Sequence, residues 1–294
     1  MAEATADDLA ARVREALRDT SRPLWLPGLT ADLADIAWRK LGRDLGLTRA
    51  SYGTARVLRR DPGEARWVVA AFSVSSPAGV GRDAIPVELL PEDLVLRCTG
   101  SDMRFFRAEE ILGDGVSGRV EEALEILGAV PSVLLPVCAL VRALHLINPE
   151  DDEVDVSFSE PGLPFSAFVS VPGPSAVTGA IRVAEALLHE AMHLQLTLAE
   201  AIVPLVTPTE RTYFSPWRNE HRTAQGVLHA LYVFQVIDAF LGAAPLEGPA
   251  LAPSRRYARE RRRTIACQVR EIRDFRACAD LTADGIAFVD RLLG

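Results

Sequence analysis

Apolar residues recur every three or four positions over residues 7–19 and 30–46, which predicts an amphipathic helix for each stretch. Leu9, Val13 and Leu17 line one face of the first, and Thr30 stands where the second would take an N-cap. Between 51 and 105 the period breaks up. Short apolar runs at 67–72 and 94–96 alternate with turn residues, which reads as strands mixed with loops. Helical spacing returns over 117–128 and again over 134–146. Residues 154–159 then alternate like a strand, Pro161-Gly162 turns the chain, and 165–171 reads as a second strand closed by Pro172-Gly173-Pro174. Three long helices follow, at about 181–202 (stopped by Pro204), 219–241 and 255–276. The pattern predicts an α+β fold, predominantly helical, with a short strand pair ahead of the C-terminal helices. A soft boundary near residue 148 divides a mixed N-terminal region, 1–148, from a C-terminal region, 149–294, that carries the chemistry.

Composition narrows the class. At 294 residues, 49% hydrophobic and 24% charged, the chain is long enough for a sizeable core and ordinary for a globular protein. A net charge of −8 argues against nucleic acid as the main partner. The basic run Arg255-Arg256, Arg259 and Arg261-Arg262-Arg263 reads as a solvated helix face. Four scattered cysteines (Cys98, Cys138, Cys267, Cys278) give no disulfide framework and fit a reducing compartment. The acidic start, Met1 to Asp8, is unlike a secretory signal. The apolar stretch 126–147 is broken by Pro131 and Pro136 and carries Arg142 and His145, so no membrane span is expected there. These features point to the cytoplasm and leave the oligomeric state open.

The sharpest chemical signal is His189-Glu190-Ala191-Met192-His193. Two histidines four apart on a helix project from one face, one turn apart, close enough for both rings to reach a single ion. Glu190 can act on a metal-bound water or orient a ligand. A third ligand is needed. Leu196 and Ala199 stand where a metzincin requires glycine and histidine, which excludes that class. Glu200 lies about 10 Å further along the axis than His193 and is placed out of reach. Glu220 and His229 remain, nine residues apart on the next expected helix and so on opposite faces of it. His229 sits in an apolar run, where an imidazole needs a partner, and forms a polar stripe with Arg222 and Gln225. His229 is therefore the preferred ligand and Glu220 the alternative.

The ligand set decides the chemistry. His189, His193 and Glu220 with Glu190 as base would make a zinc peptidase of gluzincin type. Three histidines would leave room for a bidentate cosubstrate on non-haem iron, and Arg218 and Arg222 suit the far carboxylate of a 2-oxo acid. A third possibility is a peptide-binding metalloprotein without turnover.

The runs Leu188 to Gln195, Ser215-Pro216-Trp217-Arg218 and Gly226-Val227-Leu228-His229-Ala230, with Val156 to Gly162 and Val169-Ser170-Val171 upstream, resemble the HExxH-motif family encoded in gene clusters for ribosomally made, modified peptides. The resemblance spans about residues 150–241 and implies a zincin-like site performing Fe(II)- and 2-oxoglutarate-dependent hydroxylation of a side-chain β-carbon in a precursor peptide. It implies metal ligation by His189, His193 and His229, a cosubstrate held by Arg218 or Arg222 with Gln225 beside them, and an orienting or catalytic role for Glu190. The strand at 165–171 is then expected to pair with an extended peptide substrate.

Overall fold

The computed structural model describes residues 6–44, 67–73, 84–89, 103–113, 115–159 and 165–294. The expected apolar run at 94–96, the Pro161-Gly162 turn and Cys98 lie outside them. The first amphipathic stretches form α1 (Ala6–Arg18) and α2 (Pro27–Asp44). Thr30 is no N-cap. It lies inside α2, where its hydroxyl is 2.8 Å from the Leu26 carbonyl and 2.7 Å from Oε1 of Gln195. Proline at the first helical position, which needs no N–H there, opens α2 instead.

A five-stranded mixed sheet follows, built from β1 (Trp67–Ser73), β2 (Ala84–Leu89), β3 (Ala143–Ile147), β4 (Ser157–Phe158) and β5 (Ser166–Ser170) in the order β1-β2-β3-β5-β4. β3 and β5 pair in parallel and every residue of both is buried, as continuous apolar runs with both faces covered should be. β3 falls inside the helix expected over 134–146. That helix, α5 (Leu134–Leu140), ends at Val141, and the run Ala143-Leu-His-Leu-Ile147 goes to the sheet because it packs on two faces at once. The first strand of the expected pair shrinks to the two residues of β4. Both edges of β5 are occupied, by β3 and β4, so it cannot take a peptide as expected; the outer strand on that side is β4.

Beside the sheet lie α3 (Ala108–Gly113), α4 (Val116–Gly128) and the 22-residue α6 (Gly179–Glu200), which packs against α2, α4, α5 and β5. Its apolar residues, among them Leu187, Leu188, Met192 and Leu196, are almost fully buried, and each such side chain contributes roughly 1.5–3 kcal/mol of hydrophobic stabilisation. A hairpin, β6 (Tyr213–Ser215) and β7 (Glu220–Arg222), leads into α7 (Ala224–Ala243), then α8 (Ala252–Glu271), a 3₁₀ turn (Arg273–Ala277) and α9 (Ala283–Leu293). The helix expected over 219–241 thus begins at residue 224, where the Thr223 hydroxyl caps it by accepting the Gly226 N–H at 3.2 Å. α7 is long and apolar enough to cross a membrane by composition, yet Val227, Leu228, Leu231, Val233 and Val236 sit in the protein core against α6 and α8. α9 meets the loop after α6 at Gly285, where a Cβ would stand 2.0 Å from the Leu205 carbonyl oxygen. One continuous core runs from Val13 of α1 to Leu292 of α9, and the sheet itself crosses residue 148. The architecture is α+β and mostly helical.

Candidate metal centre

α6 and α7 pack side by side, and this contact brings three histidines together. His189 and His193, one turn apart on α6, turn Nε2 atoms to within 3.1 Å of each other. Two ligands each about 2.1 Å from one ion would be so spaced at an angle of about 95°. His229 of α7 stacks on His193 with ring centroids 5.5 Å apart, and the two Nδ1 atoms are 3.3 Å apart. Its other nitrogen, Nε2, reaches Oε2 of Glu200 at 2.8 Å. The rise along α6 separates Glu200 from His189 and His193 in sequence, yet Glu200 is part of the cluster. It enters the site through His229, because the crossing of α7 brings His229 back over the last turn of α6. Gln225 Nε2 donates to the same Glu200 oxygen at 3.0 Å.

These contacts order the protons. A carboxylate beside His229 Nε2 fixes a proton there, which leaves the Nδ1 lone pair facing His193. His193 can donate from Nδ1 to that lone pair and then presents a bare Nε2 to His189. Burial, reinforced by the charges of Arg261 and Arg218, pulls His189 down to about 4. Burial, then the neighbouring His189 and His229 and the cations Arg222 and Arg218, pulls His193 down to about 2. Both are neutral near pH 7, the form in which imidazole binds metal.

The donor set fits a divalent ion in kind, and two of its donors fit in position. His193 faces His189 with Nε2 and His229 with Nδ1, and one ion can take only one of these nitrogens. Among the described residues no three His, Cys, Asp or Glu side chains are arranged to share an ion. A three-histidine site therefore requires a side-chain rotation in this cluster.

Glu190 is 5% exposed and turns away from the histidines toward the sheet. Its Oε1 accepts from the Ser157 hydroxyl of β4 at 2.7 Å. Burial raises Glu190 to about 7, against hydrogen bonds from Ser157 and Ser159 and the charge of Arg218. These three groups set a pH signature for the metal-free chain. Between pH 4.5 and 6.5 the unfolded chain holds two more protons on His189 and His193, and the folded chain one more on Glu190. The net is one proton favouring the unfolded state, so their contribution to stability rises with pH by about 1.4 kcal/mol per unit. Glu190→Gln removes the opposing proton and should double that slope to about 2.7 kcal/mol per unit. Urea titrations at pH 5.0 and 6.0 measure both; equal slopes for the two proteins would refute the burial of Glu190 as its cause.

The expected cation and alternative-ligand residues separate. Glu220 is exposed on β7 with Arg222, 3.7 Å from Oε1 to Nε, and takes no part in the histidine cluster. Arg218 and Arg222 are exposed on the hairpin, and their charges act on His193, that of Arg218 also on His189 and Glu190. Arg222 lies on a strand, so the stripe with Gln225 and His229 is made by the turn into α7 and not by one helix face.

Residues outside the expected set complete the site. Phe234 of α7 meets His189 edge-on at 5.5 Å and stacks on Trp217 at 5.3 Å. Arg261 of α8 lies 5.1 Å over Phe234. Its Nε donates to Glu185 Oε1 at 2.7 Å, and the Tyr257 hydroxyl donates to Glu185 Oε2 at 2.8 Å. The basic run on α8 is thus not wholly a solvated face: Arg261 turns inward and braces α6. A helical spacing for Glu185, four before His189, and Tyr257, four before Arg261, was visible in the sequence, but the pairing between helices was not. No protein family and no curated protein matches the chain.

Proposed function

We propose that the chain is an Fe(II)- and 2-oxoglutarate-dependent hydroxylase acting on a β-carbon of a ribosomally made peptide, on a zincin-like frame. The observation that carries this reading is His229, and not Glu220, standing against the HExxH pair. Bound iron would supply O₂ activation coupled to conversion of 2-oxoglutarate to succinate and CO₂. His189 and His193 would hold it through Nε2. His229 would join them through Nδ1, its ring oriented by the Glu200 carboxylate. Arg218 and Arg222 supply positive charge that reaches His193 and suits a carboxylate, with Gln225 beside them on Glu200. Phe234 and Trp217 form an apolar wall that excludes water from the His189 side.

Glu190 ties the motif to β4 through Ser157 and acts as a positioning residue. A peptide laid along the outer edge of β4 would pass beside that contact. One feature favours a zinc peptidase: Glu190, next in sequence to His189 and raised by burial to about 7, suits a general base if its side chain turns back from Ser157. Chain purified without oxygen, loaded with Fe(II) and given 2-oxoglutarate, air and short synthetic peptides, should form succinate. Peptide fragments in place of succinate, with zinc bound and cleavage lost in Glu190→Gln, would replace this reading by the peptidase.

A further inference from the structure

α8 has a second face, and the site does not use it. The helix carries seven arginines and two glutamates, a net +5 in a chain of −8, which leaves −13 on the rest. Arg255, Arg259 and Arg263 repeat every four residues and form a stripe about 12 Å long. Like charges at this spacing weaken a helix, so the stripe is maintained against its own repulsion. It borders a cleft of about 610 Å³ between α8 and the end of α7, walled by Leu241, Pro245, Leu246 and Ala258. Arg259 also lines an adjoining cleft of about 480 Å³ that reaches Val177 and Pro253.

The arginines of the cleft divide into fixed and available. Arg262 is held by Asp238 at 3.0 Å over Gly242, and Arg255 donates to the Leu246 carbonyl at 2.9 Å. Arg259 and Arg263 have no acidic partner among the described residues.

We propose that this cleft docks an acidic, partly apolar segment of the peptide substrate, with Arg259 and Arg263 meeting its carboxylates and the Leu241–Leu246 wall its apolar side chains. The inference rests on the peptide-modifying reading. α8 joins the cleft to the site, since its inner face holds Glu185 of the metal helix through Tyr257 and Arg261. A polyphosphate fits less well, because the patch is short and the remainder of the chain repels it. A second copy fits less well too. Its acidic turn is already engaged, Asp152 with the Gly173 N–H at 2.8 Å, Asp151 with the Glu153 N–H at 2.9 Å and Asp155 with Arg182 at 2.8 Å.

The test uses the full chain, with and without Fe(II), and a fluorescein-labelled peptide of alternating Leu and Glu read by anisotropy. Binding should weaken as salt rises and should fall by at least about ten-fold in Arg259→Glu/Arg263→Glu. The charge-reversed protein should gain affinity for the matching Leu-Lys peptide, which a misfolded variant would not. If reversal prevents folding, Arg259→Gln/Arg263→Gln should still lose most of the affinity. Equal binding by wild type and variants overturns the proposal. So does tighter binding of labelled single-stranded DNA at the same arginines, or self-association in sedimentation that the reversal abolishes. Because binding is read without turnover, its failure leaves the succinate result standing, and the absence of succinate leaves the docking result standing.

Discussion

Fe(II) affinity is expected to fall by roughly 10²–10³-fold in His193→Ala, by the scale of structural zinc sites, where about 10–16 kcal/mol over four ligands gives about 2.5–4 kcal/mol per ligand. His193 is chosen over its neighbours because it alone touches both. Its Nε2 lies 3.1 Å from His189 and its Nδ1 3.3 Å from His229. Removing it takes away a donor and also the ring on which His229 stacks. His189→Ala should cost a similar amount. Glu220→Ala should leave affinity unchanged, because Glu220 is exposed on the hairpin. Anaerobic calorimetric titration of Fe(II) into wild type and the three variants checks this. Equal affinity of His193→Ala and wild type would remove the motif from the metal site.

A second large effect is expected two residues further along the helix. Gln195 is 2% exposed and joins three segments. Its Oε1 is 2.7 Å from the Thr30 hydroxyl in α2, and its Nε2 donates to the Tyr232 hydroxyl of α7 at 2.6 Å and to the Leu24 carbonyl at 3.4 Å. Tyr232 in turn donates to the Leu24 carbonyl at 3.0 Å. Thr30 and Tyr232 are themselves buried. Gln195→Leu keeps the volume but removes the bonds that tie the three segments to α6, while the Thr30 and Tyr232 hydroxyls keep the Leu26 and Leu24 carbonyls, so it should cost about 1–3 kcal/mol. Thr30→Val/Gln195→Leu, which removes the partner hydroxyl as well and leaves Tyr232 on the Leu24 carbonyl, should recover part of that loss. Urea midpoints measure both. A single variant as stable as wild type would show that the network does not hold the N-terminal helices to the metal helix.

The sequence announced the HExxH helix because its signal is local: both histidines and their spacing lie within one turn. It also placed α1, α2, α4 and α8, whose amphipathic period needs only one buried face. What it hid was set between elements. The run at 143–147 reads as the end of a helix until two flanking strands pair with its edges and its two faces are both buried. Residues 213–222 read as loop and helix start because a three-residue hairpin offers too short an alternation to register. That misplacement put Glu220 on the same helix as His229, when the hairpin in fact holds it outside. α9 went unanticipated, although Thr282 and Asp284 mark its start. Distance along one helix axis sets Glu200 apart from the histidine pair, and only the crossing of α7 over α6 shows that His229 carries the site to it. Arg261 was counted with a surface run because its partner, Glu185, is 76 residues away.

In the proposed site one ion is shared by His189, His193 and His229. The most direct test is the structure of the chain crystallised without oxygen with Fe(II) and 2-oxoglutarate, using anomalous scattering at the iron edge. One iron peak is expected within about 2.3 Å of a nitrogen of each histidine, with His229 bound through Nδ1 and Glu200 still on its Nε2. A peak coordinated by His189 and His193 with Glu200 or Glu220, and His229 outside its shell, would contradict it.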